Sequence, residues 1–291
     1  LMNKLLTIVI ISYKSKKLIL SHIQKFYNKF ELIIVENSSD EQFKKTLKKN
    51  YKNVNIYLKN NIGYGRAVNF AAKKIKTKYF ISMNPDAMIN TNTFKSLMNA
   101  AVHIKKFGAI GPIHKNLKKR YRNKLFIEQK KIEAPVMLFD TQTFKKIKGF
   151  DENIFLYYED NDYFKKCNRL DQKLYLITSS YYNHSKPQKY NKSLNVKSSS
   201  FSNIKEKNSS YLVGGWHGQW SKFYYLKKYN GFINALIRCA PSLILNLLQL
   251  IIYSLINPAK AKYKYFKIEG FICSLIGLPS FKRSKFDKNR I

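Results

Sequence analysis

The chain of 291 residues is long enough for a sizeable core, in one large domain or in one domain with an appendage. A hydrophobic content of 45% excludes a disordered chain, and three distant cysteines (Cys167, Cys239, Cys273) without a CxxC pair argue against a zinc ribbon or disulfide framework and for a reducing compartment. The formal net charge of +37 suggests nucleic acid or an anionic membrane, yet only seven of the 54 basic residues are Arg and the lysines are scattered throughout. Readers of phosphates and bases lean on Arg forks, so no nucleic acid is expected, whereas attraction to an anionic membrane surface fits.

The N-terminal LMNKLLTIVIISYKS has a short β-branched apolar run without a small-residue cleavage site, so it reads as a first strand (5–13) and not as a signal peptide. KKLILSHIQKFYNKF (16–30) has helical spacing, ELIIVENSSD (31–40) is a second buried strand ending in turn residues, and EQFKKTLKKN (41–50) is a short helix. VNIYLKN (54–60) is a third strand, GYGRAVNFAAKKIK (63–76) a helix opened by glycines, and KYFISM (78–83) a fourth strand closed by Asn84-Pro85-Asp86. This alternation predicts a parallel α/β sheet, whose ligands bind beyond the carboxyl ends of the strands. Ser12-Tyr13, Glu36-Asn37, Asn60-Asn61 and Asn84-Pro85-Asp86 should therefore line one edge.

Further on, 91–107 reads as a helix, AIGPI as a strand, 115–131 as a basic loop or hairpin, 132–140 as an apolar stretch and 173–185 as a late strand ending near His184. The polar segment 185–203 is expected to be mobile. From about residue 205 aromatic residues crowd a basic segment, followed by ALIRCAPSLILNLLQLIIYSLIN (235–257). The uninterrupted part after Pro241 holds about 16 residues, short of the roughly 20 of a spanning helix, which favours an interfacial or buried helix. Two domains are expected, 1–205 and a helical, aromatic- and Lys-rich extension at 206–291.

Four groups can carry chemistry. Asp86, presented past a strand end, either caps the next element or binds a hard cation together with substrate phosphates. The GYG stretch with Arg66 suits a phosphate at a helix N-terminus, or is an ordinary turn; it lacks the GxGxxG spacing of a dinucleotide fold. Glu159, Asp160 and Asp162 at a helix start either compensate the helix dipole or include a general base, and His184 is structural unless it folds back towards Asp86.

Taken together, TIVIISYKS, IIVENSS, NNIGYGRAVN, MNPDA and GFDENIFLYYEDNDYFKKC, in this order over roughly residues 5 to 190, resemble the family 2 glycosyltransferases, and within them the rhamnosyltransferase-like branch. The resemblance implies an α/β fold: a glycosyltransferase A-type, Rossmann-like sheet with helices on both faces, followed here by the helical C-terminal extension. It implies that Ser12, Tyr13 and Glu36 contact the nucleoside, that Asn61, Arg66 and Asn84 line the donor pocket, and that Asp86, with His184 as a further candidate, binds a divalent cation (Mg2+ or Mn2+). Asp160 would be the catalytic base, with Glu159 positioning hydroxyls. The family commonly has Asp where this chain has Glu36, and two aspartates where it has Asn84-Pro85-Asp86.

The function implied is inverting transfer of a sugar, rhamnose from dTDP-rhamnose by the branch, from a nucleotide-sugar donor to a glycan or lipid-linked glycan acceptor on the cytoplasmic face of the cell membrane. A homodimer through the aromatic segment is an alternative role for the extension. A sugar nucleotidyltransferase, a basic nucleic-acid-binding protein and a non-catalytic scaffold are the competing readings; the first lacks a glycine-rich basic loop after the first strand.

Overall fold

The structure is a computed structural model and describes residues 5–121, 124–132, 135–184 and 204–287, the side chains of 184 and 204–208 excepted. The polar segment 185–203 lies outside the described residues. The chain divides into two compact units. The first takes the described residues of 1–62, 67–150 and 163–200; the second takes 63–66, 151–162 and the described residues from 204 onward.

The first unit is a nine-stranded sheet flanked by helices. The runs read as buried strands form β1 (Leu6–Ser12), β2 (Glu31–Glu36), β3 (Val54–Leu58) and β4 (Tyr79–Met83), and every residue of β1 and β4 is buried. They pair in parallel in the order β3-β2-β1-β4. Between them run α1 (Lys16–Phe26), α2 (Glu41–Asn50) and α3 (Tyr64–Ala72). β5 (Ala87–Met88) and α4 (Thr91–His103) follow the Asn84-Pro85-Asp86 turn. Asp40 and Asn90 cap α2 and α4 by accepting from the N–H groups of Phe43 and Thr93, both at 2.9 Å.

The other half of the sheet departs from the all-parallel expectation. β6 (Ala109–His114), β7 (Phe126–Gln129), β8 (Val136–Asp140) and β9 (Leu174–His184) extend the order as β4-β8-β6-β9-β5, with β7 also on β9. β8 is antiparallel to both β4 and β6. The physical reason lies in the connection. Among the described residues no α-helix stands between β6 and β8, and only a parallel return needs a long crossover. The stretch expected to be a basic loop or hairpin supplies β7, antiparallel to β9. A short helix, α5 (Thr141–Lys146), packs Phe144 on Phe139, Phe150 and Tyr163, an aromatic cluster that closes this side of the core.

The second unit combines the start of α6 (Glu159–Arg169) with α7 (Ile204–Asn230), α8 (Phe232–Ile256) and α9 (Pro258–Leu275). A Cβ on Gly270 of α9 would lie 2.2 Å from the Trp216 carbonyl of α7, so glycine is what lets these helices touch. Trp216, Trp220 and Cys273 are buried at that contact. All three cysteines are free and buried.

α8 corrects one expectation. The helix runs unbroken through Pro241 for 25 residues, about 37 Å at 1.5 Å per residue, so the shortness that argued against a span is gone. Among the described residues it is one helix long and apolar enough to cross a membrane, and most of its large side chains, from Ile233 to Ile256, are exposed.

Candidate active site

Strand register brings the residues singled out in the first unit to one edge. Ser12 at the end of β1 is level with Glu36 at the end of β2, and both are buried. The connections continue the pattern, since Asn37 N–H donates to the Ser12 carbonyl and Asn61 N–H to the Asn37 carbonyl, each at 2.7 Å. Asn61 has φ of +35°, a conformation Asn tolerates better than most residues. Tyr13 leaves the strand half-buried, and Ser15 Oγ donates to its carbonyl at 2.9 Å.

Glu36 Oε1 accepts from the N–H of Ser38 at 2.8 Å and from its hydroxyl. Among the described residues its Oε2 is buried without a hydrogen-bond partner; the Ser12 hydroxyl is near enough to favour the charged carboxylate but is not in hydrogen-bonding geometry. Burial prevails and pushes the Glu36 carboxyl up, with Ser12 and Ser38 opposing it. An unsatisfied buried acceptor at the strand edge is what a ligand hydroxyl or N–H would complete.

Asp86 occupies the turn from β4 to β5, which the Ala87 N–H closes onto the Asn84 carbonyl at 3.1 Å. Asn84 N–H is held by the Pro135 carbonyl at 2.8 Å. A residue the sequence reading passed over, His22 of α1, holds the turn from below. It is buried, its Nε2–H donates to the Pro85 carbonyl at 2.7 Å, and burial pushes its pKa down, which keeps it neutral. Its only sequence signal is a polar residue on the apolar face of α1, four before Phe26, on which it stacks. The condition set on His184 is met by the backbone: β9 runs antiparallel to β5 with His184 opposite Ala87, the neighbour of Asp86. The His184 side chain lies outside the described residues.

Arg66, Glu159 and Asp160 belong to the second unit. Arg66 Nε donates to the Glu152 carbonyl, and a Cβ on Gly63, three residues earlier, would lie 2.3 Å from the Phe155 carbonyl. That contact, with φ of +87°, explains the first glycine of the GYG stretch. Arg283, not anticipated from sequence, stacks on Phe155 at 3.6 Å; burial, then Arg66, pushes its pKa down to about 10.

The acidic turn is built under strain. Tyr157 and Tyr158 have φ of +65° and +70°, a region bulky residues rarely adopt and which clusters at functional sites. They aim the start of α6 so that Glu159, Asp160 and Asn161 line a cavity of about 660 Å³ completed by α7 and α9. Asp160 Oδ1 accepts from Asn161 N–H at 2.7 Å and from Asn161 Nδ2 at 3.0 Å. Glu159 is partly accessible as a residue, but its Oε2 is closed off and has no hydrogen-bond partner among the described residues. Burial, then the Asp160 carboxylate, pushes Glu159 up to about 8. Asp162 has a different role. It is fully buried and accepts from Lys228 Nζ at 2.5 Å and Tyr229 Oη at 2.8 Å, while Lys228 also reaches Asp151 at 2.7 Å. This cluster ties the acidic turn to α7.

Residues 7–175, more than half of the chain, match the profile of Glycosyl transferase family 2. The chain belongs to glycosyl transferase family 2, and it is an enzyme, a glycosyltransferase. The family 2 match ends within β9, so the three C-terminal helices lie beyond it. Comparison with curated proteins finds no match. Among solved structures this family 2 chain is similar to the mannosyltransferase PcManGT from Pyrobaculum calidifontis in complex with GDP-Man and Mn2+, at 13% identity and TM-score 0.54 over 93% of this chain and 86% of that one. It is also similar to S. aureus TarS 1–349 in complex with UDP-GlcNAc, at 16% identity and TM-score 0.48 over 99% of this chain and 98% of that one. The first likeness shows the fold, a mixed α/β sheet of glycosyltransferase A type with a C-terminal helical region.

Proposed function

We propose that this family 2 enzyme is an inverting, divalent-cation-dependent transferase that moves a sugar from a nucleoside diphosphate to a hydroxyl of a lipid-linked surface glycan. The observation that carries the reading is the single edge formed by Ser12, Glu36, Asn61 and Asp86 at the carboxyl ends of parallel strands, where α/β sheets take nucleotides. Rhamnose, as dTDP-rhamnose, is the donor favoured by the branch-like MNPDA and YYEDNDYF stretches.

Asp86 fits a hard cation. Among the described residues no three His, Cys, Asp or Glu side chains cluster to cage a metal, and Mg2+ or Mn2+ is commonly held by one or two carboxylates plus substrate phosphates. Asp86 would hold it, with His184, whose backbone pairs beside it, as a second candidate. Such a cation, when bound, stabilises negative charge on a leaving diphosphate. The Mn2+ and GDP-Man in the PcManGT structure support this reading.

Asp160 takes the proton from the acceptor hydroxyl as that oxygen attacks the anomeric carbon, and one displacement inverts the centre without a sugar–enzyme intermediate. Glu159, with a pKa of about 8, is largely protonated at neutral pH, which suits it to position a hydroxyl beside the base. Attachment to the cytoplasmic face of the cell membrane is assigned to α8, with its exposed apolar surface and the lysines of α7 and α9 on either side.

A thermal-shift titration with dTDP, UDP, GDP and CDP, with and without Mn2+, tests the proposal on wild type and Asp86→Ala. One nucleotide should stabilise the wild type in a Mn2+-dependent way, and the variant should lose that response. No response to any nucleotide, or equal Mn2+ dependence in the variant, would overturn it.

A further inference from the structure

The cavity beside Glu159 and Asp160 has a second chemical character. One stripe of α7, Ser210, Gly214, Gly218 and Lys222, faces it at four-residue spacing. Its glycines keep the space open: a Cβ on Gly218 would meet no atom nearer than 3.8 Å. α9 contributes Tyr263 and, one turn on, Lys267. Tyr263 stacks on Tyr211 at 4.2 Å with an interplanar angle of 15°.

Lys222 and Lys267 are the cationic side chains of this lining. Both are half-buried, and among the described residues neither forms an ion pair with a carboxylate. The two sense each other, since burial, then Lys264 and Lys222, pushes the Lys267 pKa down. Half-buried like charges without an ion-pair partner are disfavoured, and a ligand anion that reaches both relieves the repulsion. A phosphate group does so with oxygens that accept from both ammonium groups.

We infer that the cavity takes a phosphate-bearing acceptor, Lys222 and Lys267 holding the phosphate while Glu159 and Asp160 face the hydroxyl to be glycosylated. The inference rests on the transferase reading and names the class of its acceptor. The phosphate can belong to the glycan's own linkage or to a membrane lipid headgroup.

The test is isothermal titration of the full chain with hexyl phosphate, dihexanoyl phosphatidylglycerol and the neutral hexyl glucoside. Wild type is compared with Lys222→Gln/Lys267→Gln and with Lys48→Gln/Lys49→Gln on exposed α2 as a control for general basicity. Hexyl phosphate should bind the cavity variant at least about tenfold more weakly, the scale of one lost charge-assisted hydrogen bond, and the control variant as it binds wild type. Gly218→Leu, which fills the cavity and removes no charge, should weaken binding as well; this keeps the test decisive if the lysine variant folds poorly. Lysine-dependent binding of hexyl phosphate alone assigns the phosphate to the glycan, and equal binding of the phosphatidylglycerol assigns it to the lipid. Equal affinity of wild type and cavity variants, or equal affinity for the neutral glucoside, overturns the inference. The nucleotide titration on the same preparations separates the failures. Nucleotide response with lysine-independent phosphate binding sinks only the acceptor class, whereas its absence sinks the proposed cation-dependent donor site on which the inference rests.

Discussion

Replacing Glu159 by Gln should remove a pH dependence from the stability of the second unit. The carboxyl sits at about 8 in the folded chain against 4.5 for an ordinary glutamate, mainly through burial. A raised folded-state pKa means that the native chain keeps a proton the unfolded chain releases. The stabilisation is complete below 4.5, falls as pH rises from 4.5 to about 8, and is gone above that. At ~1.4 kcal/mol per pH unit the full span is on the order of 5 kcal/mol, which the partial accessibility of the residue reduces to a few. Both tryptophans of the chain, Trp216 and Trp220, lie on α7, so their fluorescence in urea follows this unit. Measured in detergent between pH 4.5 and 8.5, the difference in unfolding free energy between wild type and Glu159→Gln should change by a few kcal/mol, in favour of the variant at the alkaline end. A difference that stays constant across that range would refute the assignment of a buried, protonated Glu159.

Asp160→Asn should lower transfer by about 10²–10⁴-fold and leave nucleotide-induced stabilisation intact, read by a product assay beside the thermal shift. Lys228→Ala leaves the buried Asp162 carboxylate without its cation and should destabilise the second unit by roughly 3–5 kcal/mol in the same urea experiment, with Lys228→Met no better. His22→Ala removes the donor to the Pro85 carbonyl; it should cost about 1 kcal/mol and raise the Mn2+ concentration needed for the nucleotide response. Leu248→Arg/Ile252→Arg on the exposed face of α8 should release the protein from phosphatidylglycerol vesicles in flotation, and alkaline carbonate extraction of wild type distinguishes surface attachment from insertion.

Much of the sheet was legible because its strands are buried on both faces and therefore written as continuous apolar runs. LTIVIIS and YFISM need no partner information to be read. The carboxyl edge followed from the alternation of strand and helix, and Ser12, Glu36 and Asn61 meet there. Strand direction in the second half was not legible, since VMLFD has the same composition whichever way it runs. Pro241 was weighed by its intrinsic dislike of helix interiors, yet α8 carries it on an exposed face. The partners of the acidic turn stayed hidden for a different reason. Lys228 is 66 residues from Asp162, and in a sequence with 54 basic residues nothing marks the one that reaches the buried Asp162. His22 and Arg283 were missed alike, since each acts through a backbone carbonyl or a ring that leaves no motif.

The clasp of Asp151, Asp162 and Lys228 bears on how this enzyme diversifies. The acidic turn is encoded within the family 2 match, but its fastening is encoded some sixty residues later, in a helix outside that match. A chain that exchanges its last helices with a relative inherits a new lining for the cavity beside Glu159 and Asp160, and it keeps the turn fastened only if a cation arrives at the position of Lys228. The cavity can thus be relined by recombination near residue 204 while the strand-end edge of Ser12 and Glu36 stays as it was, with one lysine as the compatibility requirement.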